Sequence, residues 1–179
     1  DAFLEFCEKS EHWLDDYALY MVLKEKLFAA TWRDFPKELR DRKKSALAEW
    51  REKTSGETLY HKFVQHLFFS QWLALGDYCR SRGIKLIGDI PYYVNFDSSE
   101  VWSHPGAFKL DGEKKPVYVS GVPPDYFSKT GQLWGNPVYE WNELGRTGYK
   151  WWIDRISHNL SLFDVLSSTT SGASSPTGK

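Results

Sequence analysis

The stretch GIKLIGDIP, residues 83–91, constrains the fold more than any other part of this chain. Ile84 to Ile90 is a short apolar run bounded by Gly83 and Pro91, and it reads as a buried strand. A helical pattern precedes it. Val64, Phe68, Trp72 and Leu75 recur at i, i+4, i+8 and i+11. The pattern stops near Arg82-Gly83, where glycine suits the left-handed residue that follows a helix. Helix, glycine, apolar strand is one step of a parallel α/β sheet or barrel. The strand closes on Gly88-Asp89-Ile90-Pro91. That puts a carboxylate at a strand's C-terminal end, where α/β barrels build their active sites.

Residues 91–140 are too long for a bare connection, and a loop of this length in a compact fold is functional or forms a small subdomain. Within it Asp125, Tyr126, Phe127, Gln132, Trp134 and Asn136 fall in twelve residues. Pro123-Pro124 fixes the entry, and Gly121 and Gly131 let the chain turn. Flat rings stack on sugar faces, while amides and carboxylates hydrogen-bond hydroxyls. The mixture suits a carbohydrate better than a phosphate or a nucleic acid. Asp97, Glu100 and Trp102 in DSSEVW read instead as a capped helical turn beside the loop.

Residues 1–80 read as helical. Trp13, Tyr17, Tyr20, Leu23 and Leu27 mark one face of a first helix. Pro36 opens a second, with Leu39, Lys43, Ala46 and Trp50 along a face, and Thr54-Ser55-Gly56 interrupts the pattern. The charges of KELRDRKK interleave both signs and read as a solvated helix surface. Residues 148–160 form another helix with Trp152, Ile153 and Ile156 inward, and Leu160 to Leu166 begins a second strand. The final SSTTSGASSPTGK has eight Ser or Thr and no large apolar residue, so disorder is expected. The expected division is a helical subdomain over 1–56, a catalytic segment over 57–166 and a tail over 167–179.

Composition excludes several classes. With 23 basic and 24 acidic residues the formal net charge is -1, which gives no global attraction for nucleic acid or anionic lipid. No apolar run is long enough for a membrane helix. Cys7 and Cys79 show no motif spacing and read as free thiols of a reducing compartment. The five histidines do not cluster with cysteines or carboxylates at metal-ligand spacing. The phosphate-loop and GxSxG signatures are absent. The chain opens on Asp1 and its one methionine is Met21, so a start within a longer or processed protein is expected.

The strings GIKLIGDIPYYV, DSSEVW, GVPPDYFSKTGQLWGNPVYEW and GYKWWIDRI resemble the 4-α-glucanotransferases of glycoside hydrolase family 77, the amylomaltases or disproportionating enzymes. The resemblance runs from about Phe3 to Leu166. It implies part of a (β/α)8 barrel of the α/β class, with an N-terminal helical subdomain and a long active-site loop. It implies transfer of α-1,4-glucan segments between maltooligosaccharides, or glucans derived from starch or glycogen, by a retaining double displacement. No metal or organic cofactor is required. Asp89, Asp125, Tyr126, Phe127, Gln132, Trp134 and Asn136 would contact substrate. The setting would be the cytoplasm, or the plastid in a plant. Neither nucleic acid nor membrane is an expected partner, and no signal sets an oligomeric state.

Retaining transglycosidases use two carboxyl groups about 5–5.5 Å apart. In the resembled family the nucleophile follows the strand read here as LFDVL, in a pattern like R-x-D-H-F. Counting on from Leu166, the arginine position is Ser167, the nucleophile position is Thr169 and the histidine position is Thr170. A threonine hydroxyl cannot replace a carboxylate that forms a glycosyl ester. The family's other two catalytic carboxylates, and its N-terminal sugar-binding segment, are also expected to be missing. The chain is therefore expected to be inactive alone, and poorly soluble or molten, because an incomplete barrel exposes strand edges. Two other readings stand beside this one. The chain is a non-catalytic carbohydrate-binding or regulatory product, or residues 1–80 bind a partner protein through their aromatic stripe.

Overall fold

The computed structural model describes residues 1–124, 126 and 128–169, Thr169 by its backbone alone. The chain divides into two compact units, residues 1–74 and residues 75 onward. Expected sites Asp125 and Phe127, and residues 170–179 of the expected tail, lie outside the described residues.

The first unit is helical. Helix α1 spans Ala2–Leu27. Asp1 caps it by accepting the Phe3 amide at 3.0 Å, and Phe28 ends it in the left-handed conformation. Its buried arc is Leu14, Ala18, Leu19, Tyr20, Val22 and Leu23, joined by Trp32, Phe35, Leu39 and Leu47 in the core. Tyr20 of the expected stripe belongs to that arc, and Trp13 and Tyr17 lie beside it. Trp13 packs on Phe69 with ring centroids 5.7 Å apart, and the Tyr17 hydroxyl accepts from Gln65 Nε2 at 3.1 Å.

The second expected helix is two, α2 (Lys37–Arg40) and α3 (Lys44–Lys53), because Arg42 turns with φ 56°. The basic run is not simply solvated. The Asp16 carboxylate accepts from Arg42 Nη2 at 2.6 Å and from Arg51 Nη2 at 2.8 Å, which ties this segment to α1. Helix α4 (Ser55–Ser81) follows α3 with only Thr54 between them. Its inward side is Thr58, His61, Gln65 and Phe69, while Val64, Phe68 and Leu75 of the expected inner face are exposed. The exposed side of this helix is the more apolar, so periodicity points to the wrong face.

In the second unit, Gly83 (φ 72°) follows the helix as expected, and the Ile84 amide bonds back to the Cys79 carbonyl. That bond turns the Ile84 amide back to the helix, and strand β1 is Ile87–Pro91 rather than Ile84–Ile90. Its partner is not Leu160–Leu166. Helix α7 (Lys150–Leu160) consumes the start of that segment, and strand β4 is Val165–Thr169. Ser167, Ser168 and Thr169 of the expected tail are thus in the sheet. The pairing is parallel, from Ile87 opposite Val165 to Pro91 opposite Thr169. Asp164 starts it, accepting the Leu86 amide at 2.8 Å while its own amide donates to the Leu86 carbonyl at 3.0 Å. One face of β1 buries Gly88 and Ile90, whereas Ile87 on the other face is 69% exposed and its partner Val165 is 42% exposed.

The expected loop after β1 is a built subdomain. Helix α5 (Ser99–Ser103) is capped by Ser98, one residue later than the Asp97 signal suggests, and it buries Val101 and Trp102. Strands β2 (Val119–Val122) and β3 (Gln132–Pro137) form an antiparallel hairpin, and α6 (Trp141–Arg146) leads to α7. The described residues are therefore mixed α/β, with two two-stranded sheets. Two parallel strands do not define a barrel.

Candidate functional site

Asp89 stands on β1 with its side chain on the exposed face, two residues before the strand ends. Tyr92 and Tyr93 follow directly. Their rings meet edge to face at 4.9 Å, and burial raises both phenol pKa values. Tyr93 then stacks on Tyr139, with centroids 5.9 Å apart and planes 11° apart.

The expected sugar-binding residues Gln132 and Trp134 lie two apart on β3, whereas Asn136 follows Gly135 (φ +77°) within a register irregularity opposite Val119–Gly121, so strand alternation does not carry to it. Sequence reading takes QLWGNP for loop because of its glycine, asparagine and proline. The structure pairs Val122 with Gln132 and Gly121 with Leu133, which makes it a strand. Gly131 permits the return. Its φ is +74°, and a Cβ there would fall 2.5 Å from the Val122 carbonyl oxygen. Ser128 Oγ donates to the Gly131 carbonyl at 2.7 Å and fastens the same turn.

On the β3 side, the Trp134 indole donates to Gln132 Oε1 at 3.0 Å. The Trp134 ring is 37% exposed and its centroid lies 6.4 Å from that of Tyr93. The structure thus brings Gln132 and Trp134 together and adds Tyr93, which sequence reasoning did not single out. Tyr126, at the tip between β2 and β3, is 96% exposed. Asn136 is half-buried.

Beneath these groups lies an aromatic cluster. Tyr139 is fully buried and packs on Tyr92, Phe108, Trp151 and Trp152 with centroids 5.1–5.8 Å apart. Burial drives its phenol pKa far above the ordinary value, so it stays protonated through neutral pH. Its roots in the sequence, VYEW and GYKWWIDRI, are visible as motifs, but nothing local shows that they meet the end of β1. Chemically, the site offers an exposed indole, an exposed phenol and side-chain amides, which together match a sugar ring and its hydroxyls.

Comparison with known proteins agrees over nearly the whole chain. A family profile described as glycoside hydrolase family 77, 4-alpha-glucanotransferase, matches residues 1–167. The 4-alpha-glucanotransferase of Aquifex aeolicus is 51% identical over 162 residues, which is 90% of this chain and 33% of that protein. That of Thermus thermophilus is 47% identical over 93% of this chain and 33% of its own length. The chloroplastic/amyloplastic enzyme of Solanum tuberosum is 40% identical over 85% and 26%. Among solved structures, an amylomaltase from Streptococcus agalactiae in complex with acarbose superposes with a TM-score of 0.88 at 39% identity. That match covers 94% of this chain and 34% of the other. The chain spans about a third of the length of these bacterial relatives.

Proposed function

The chain belongs to glycoside hydrolase family 77, the 4-alpha-glucanotransferases, and on that premise we propose that residues 89–136 hold part of an α-1,4-glucan site. The observation that carries this reading is the common face of β3, where Trp134 and Gln132 are hydrogen-bonded beside the Tyr93 ring. Trp134 and Tyr126 stack on glucose rings. Gln132 and Asn136 bond their hydroxyls, and Asp89 accepts from a hydroxyl at the end of β1. Asp125 and Phe127 complete the contacts.

The reaction this site serves is disproportionation of maltooligosaccharides. A carboxylate attacks the anomeric carbon of an α-1,4-linked glucose and forms a glycosyl ester, and the 4-hydroxyl of the departing glucan leaves with a proton. A second glucan's 4-hydroxyl then displaces the carboxylate, and configuration is retained. In this chain the nucleophile position is Thr169, opposite Pro91 at the C-terminal end of the parallel pair. The chain therefore binds glucan without transferring it. The architecture is one step of a (β/α)8 barrel. The exposed face of Ile87, Asp89 and Val165 supports this, because parallel strands are covered on both faces.

Calorimetric titration with maltoheptaose tests the binding reading. Saturable heat from the chain, lost in Trp134→Ala, is expected; no heat from the unmodified chain would refute it. Incubation with maltotriose is expected to release no glucose, and release would overturn the assignment at Thr169.

A further inference from the structure

We infer that Arg155 is a positioning residue for the glucan site, acting through Tyr139 and the backbone at the end of β1. The inference rests on the reading above, since it supposes that Tyr93 and Trp134 lie in that site. Among the described residues, the hydrogen bonds and ring contacts of Arg155 go to none of those proposed to contact glucan. It projects from α7 toward the two peptide units that follow Ile90. Its Nη2 donates to the Pro91 carbonyl at 2.7 Å, and its Nη1 donates to the Tyr139 hydroxyl at 3.3 Å. That hydroxyl donates in turn to the Tyr92 carbonyl at 2.5 Å. A guanidinium only donates, so the direction of the relay is fixed: Arg155 to Tyr139 to Tyr92.

The fork thus satisfies the Pro91 carbonyl directly and, by bonding the Tyr139 hydroxyl, braces the donor to the next carbonyl, that of Tyr92, just where the chain leaves the sheet. The fork is itself held in place, with its central carbon 5.3 Å from the ring centroids of both Trp151 and Trp152. Those rings pack on Tyr139, and Tyr92 packs on Trp152 at 5.6 Å.

The consequence reaches the candidate site by two routes. The direction in which β1 ends sets Asp89, two residues before Pro91. It also sets Tyr93, which stacks on the same Tyr139 ring and borders Trp134. A lysine at position 155 would keep the charge, but it has no planar fork to serve Pro91 and Tyr139 together. That separates positioning from a general need for a cation.

The test uses the full chain with three variants, Arg155→Met, Arg155→Lys and Tyr139→Phe, and two readouts. One is the chemical shift of the Trp134 indole N–H, and the other is affinity for acarbose. Each variant is expected to move the Trp134 indole resonance and to weaken acarbose binding roughly ten-fold. Arg155→Lys should recover thermal stability without recovering either readout. An unmoved indole with unchanged affinity, or full recovery of both by lysine, would overturn the inference. If Arg155→Met fails to fold, Tyr139→Phe, which loses one hydroxyl, decides by the same readouts. If the unmodified chain binds no acarbose, the glucan reading falls, and the indole shift alone judges whether Arg155 positions Trp134.

Discussion

Residues 1–74 close a core from within, whereas the sheet of the second unit leaves one face open. In the first unit Leu14, Leu19, Leu23, Trp32 and Leu39 are fully buried, contributed by helices close in sequence. In the second, Trp102, Phe108 and Tyr139 are equally buried, but they sit in the subdomain inserted between β1 and β4. The parallel pair itself exposes Ile87 and Val165. Helices satisfy their backbone locally and need one apolar partner. Parallel strands need neighbours at both edges and cover on both faces. The contrast is one of cores rather than of surfaces, because α4 also leaves apolar residues such as Val64 and Phe68 exposed.

Substitution at matched apolar positions should break or sharpen this contrast most strongly. Leu23→Ala, in the closed core, is expected to cost roughly 2–5 kcal/mol in chemical denaturation. Ile87→Ala, on the open face, should cost no more than about 0.5 kcal/mol. A large loss at Ile87 would mean that this face is covered in solution. Next comes Gly131→Ala, which forces a left-handed residue against the Val122 carbonyl. Left-handed backbone alone costs about 1–2 kcal/mol, and the steric conflict adds to it. The loss should appear in the second unit's transition and in weaker maltoheptaose binding. Ser98→Ala removes the cap that accepts the Val101 amide at 3.3 Å, and should cost about 1 kcal/mol.

The smallest effect is a pH dependence in the first unit. Hydrogen bonds from Lys37 and Arg40 hold the Asp41 carboxyl below the usual carboxylate range. A depressed folded-state pKa stabilises above the unfolded pKa, near 3.9, and that contribution disappears as pH falls through the folded value. Acid titration of stability should therefore show a slight loss below about pH 4 that Asp41→Asn abolishes. The effect should be small because such pairs are near the surface.

Much of this was legible in the sequence, and the failures have physical causes. The long helices followed from periodicity and from Gly83, but α6 was not expected, and Ile153 and Ile156 of α7, expected inward, are exposed. The face of α4 was misread because the exposed side, with Val64, Phe68 and Leu75, is more apolar than the inward side of Thr58, His61, Gln65 and Phe69. Strand β3 was taken for loop because QLWGNP is rich in turn-forming residues, and only its pairing with VSGV reveals it. The place of Asp89 near a strand end was found because an apolar run bounded by Gly83 and Pro91 is a local signal. Tyr93, Tyr139 and Arg155 were not, because their meeting spans residues far apart in sequence and depends on how α7 returns to β1. The aromatic platform was visible as composition, and its support was not.

The most direct test of the central claim is amide hydrogen exchange of the whole chain with and without acarbose. The account predicts slower exchange confined to the second unit, at residues 91–96 and 132–136, with residues 1–74 unchanged. Protection within residues 1–74, or none anywhere at saturating acarbose, would contradict it.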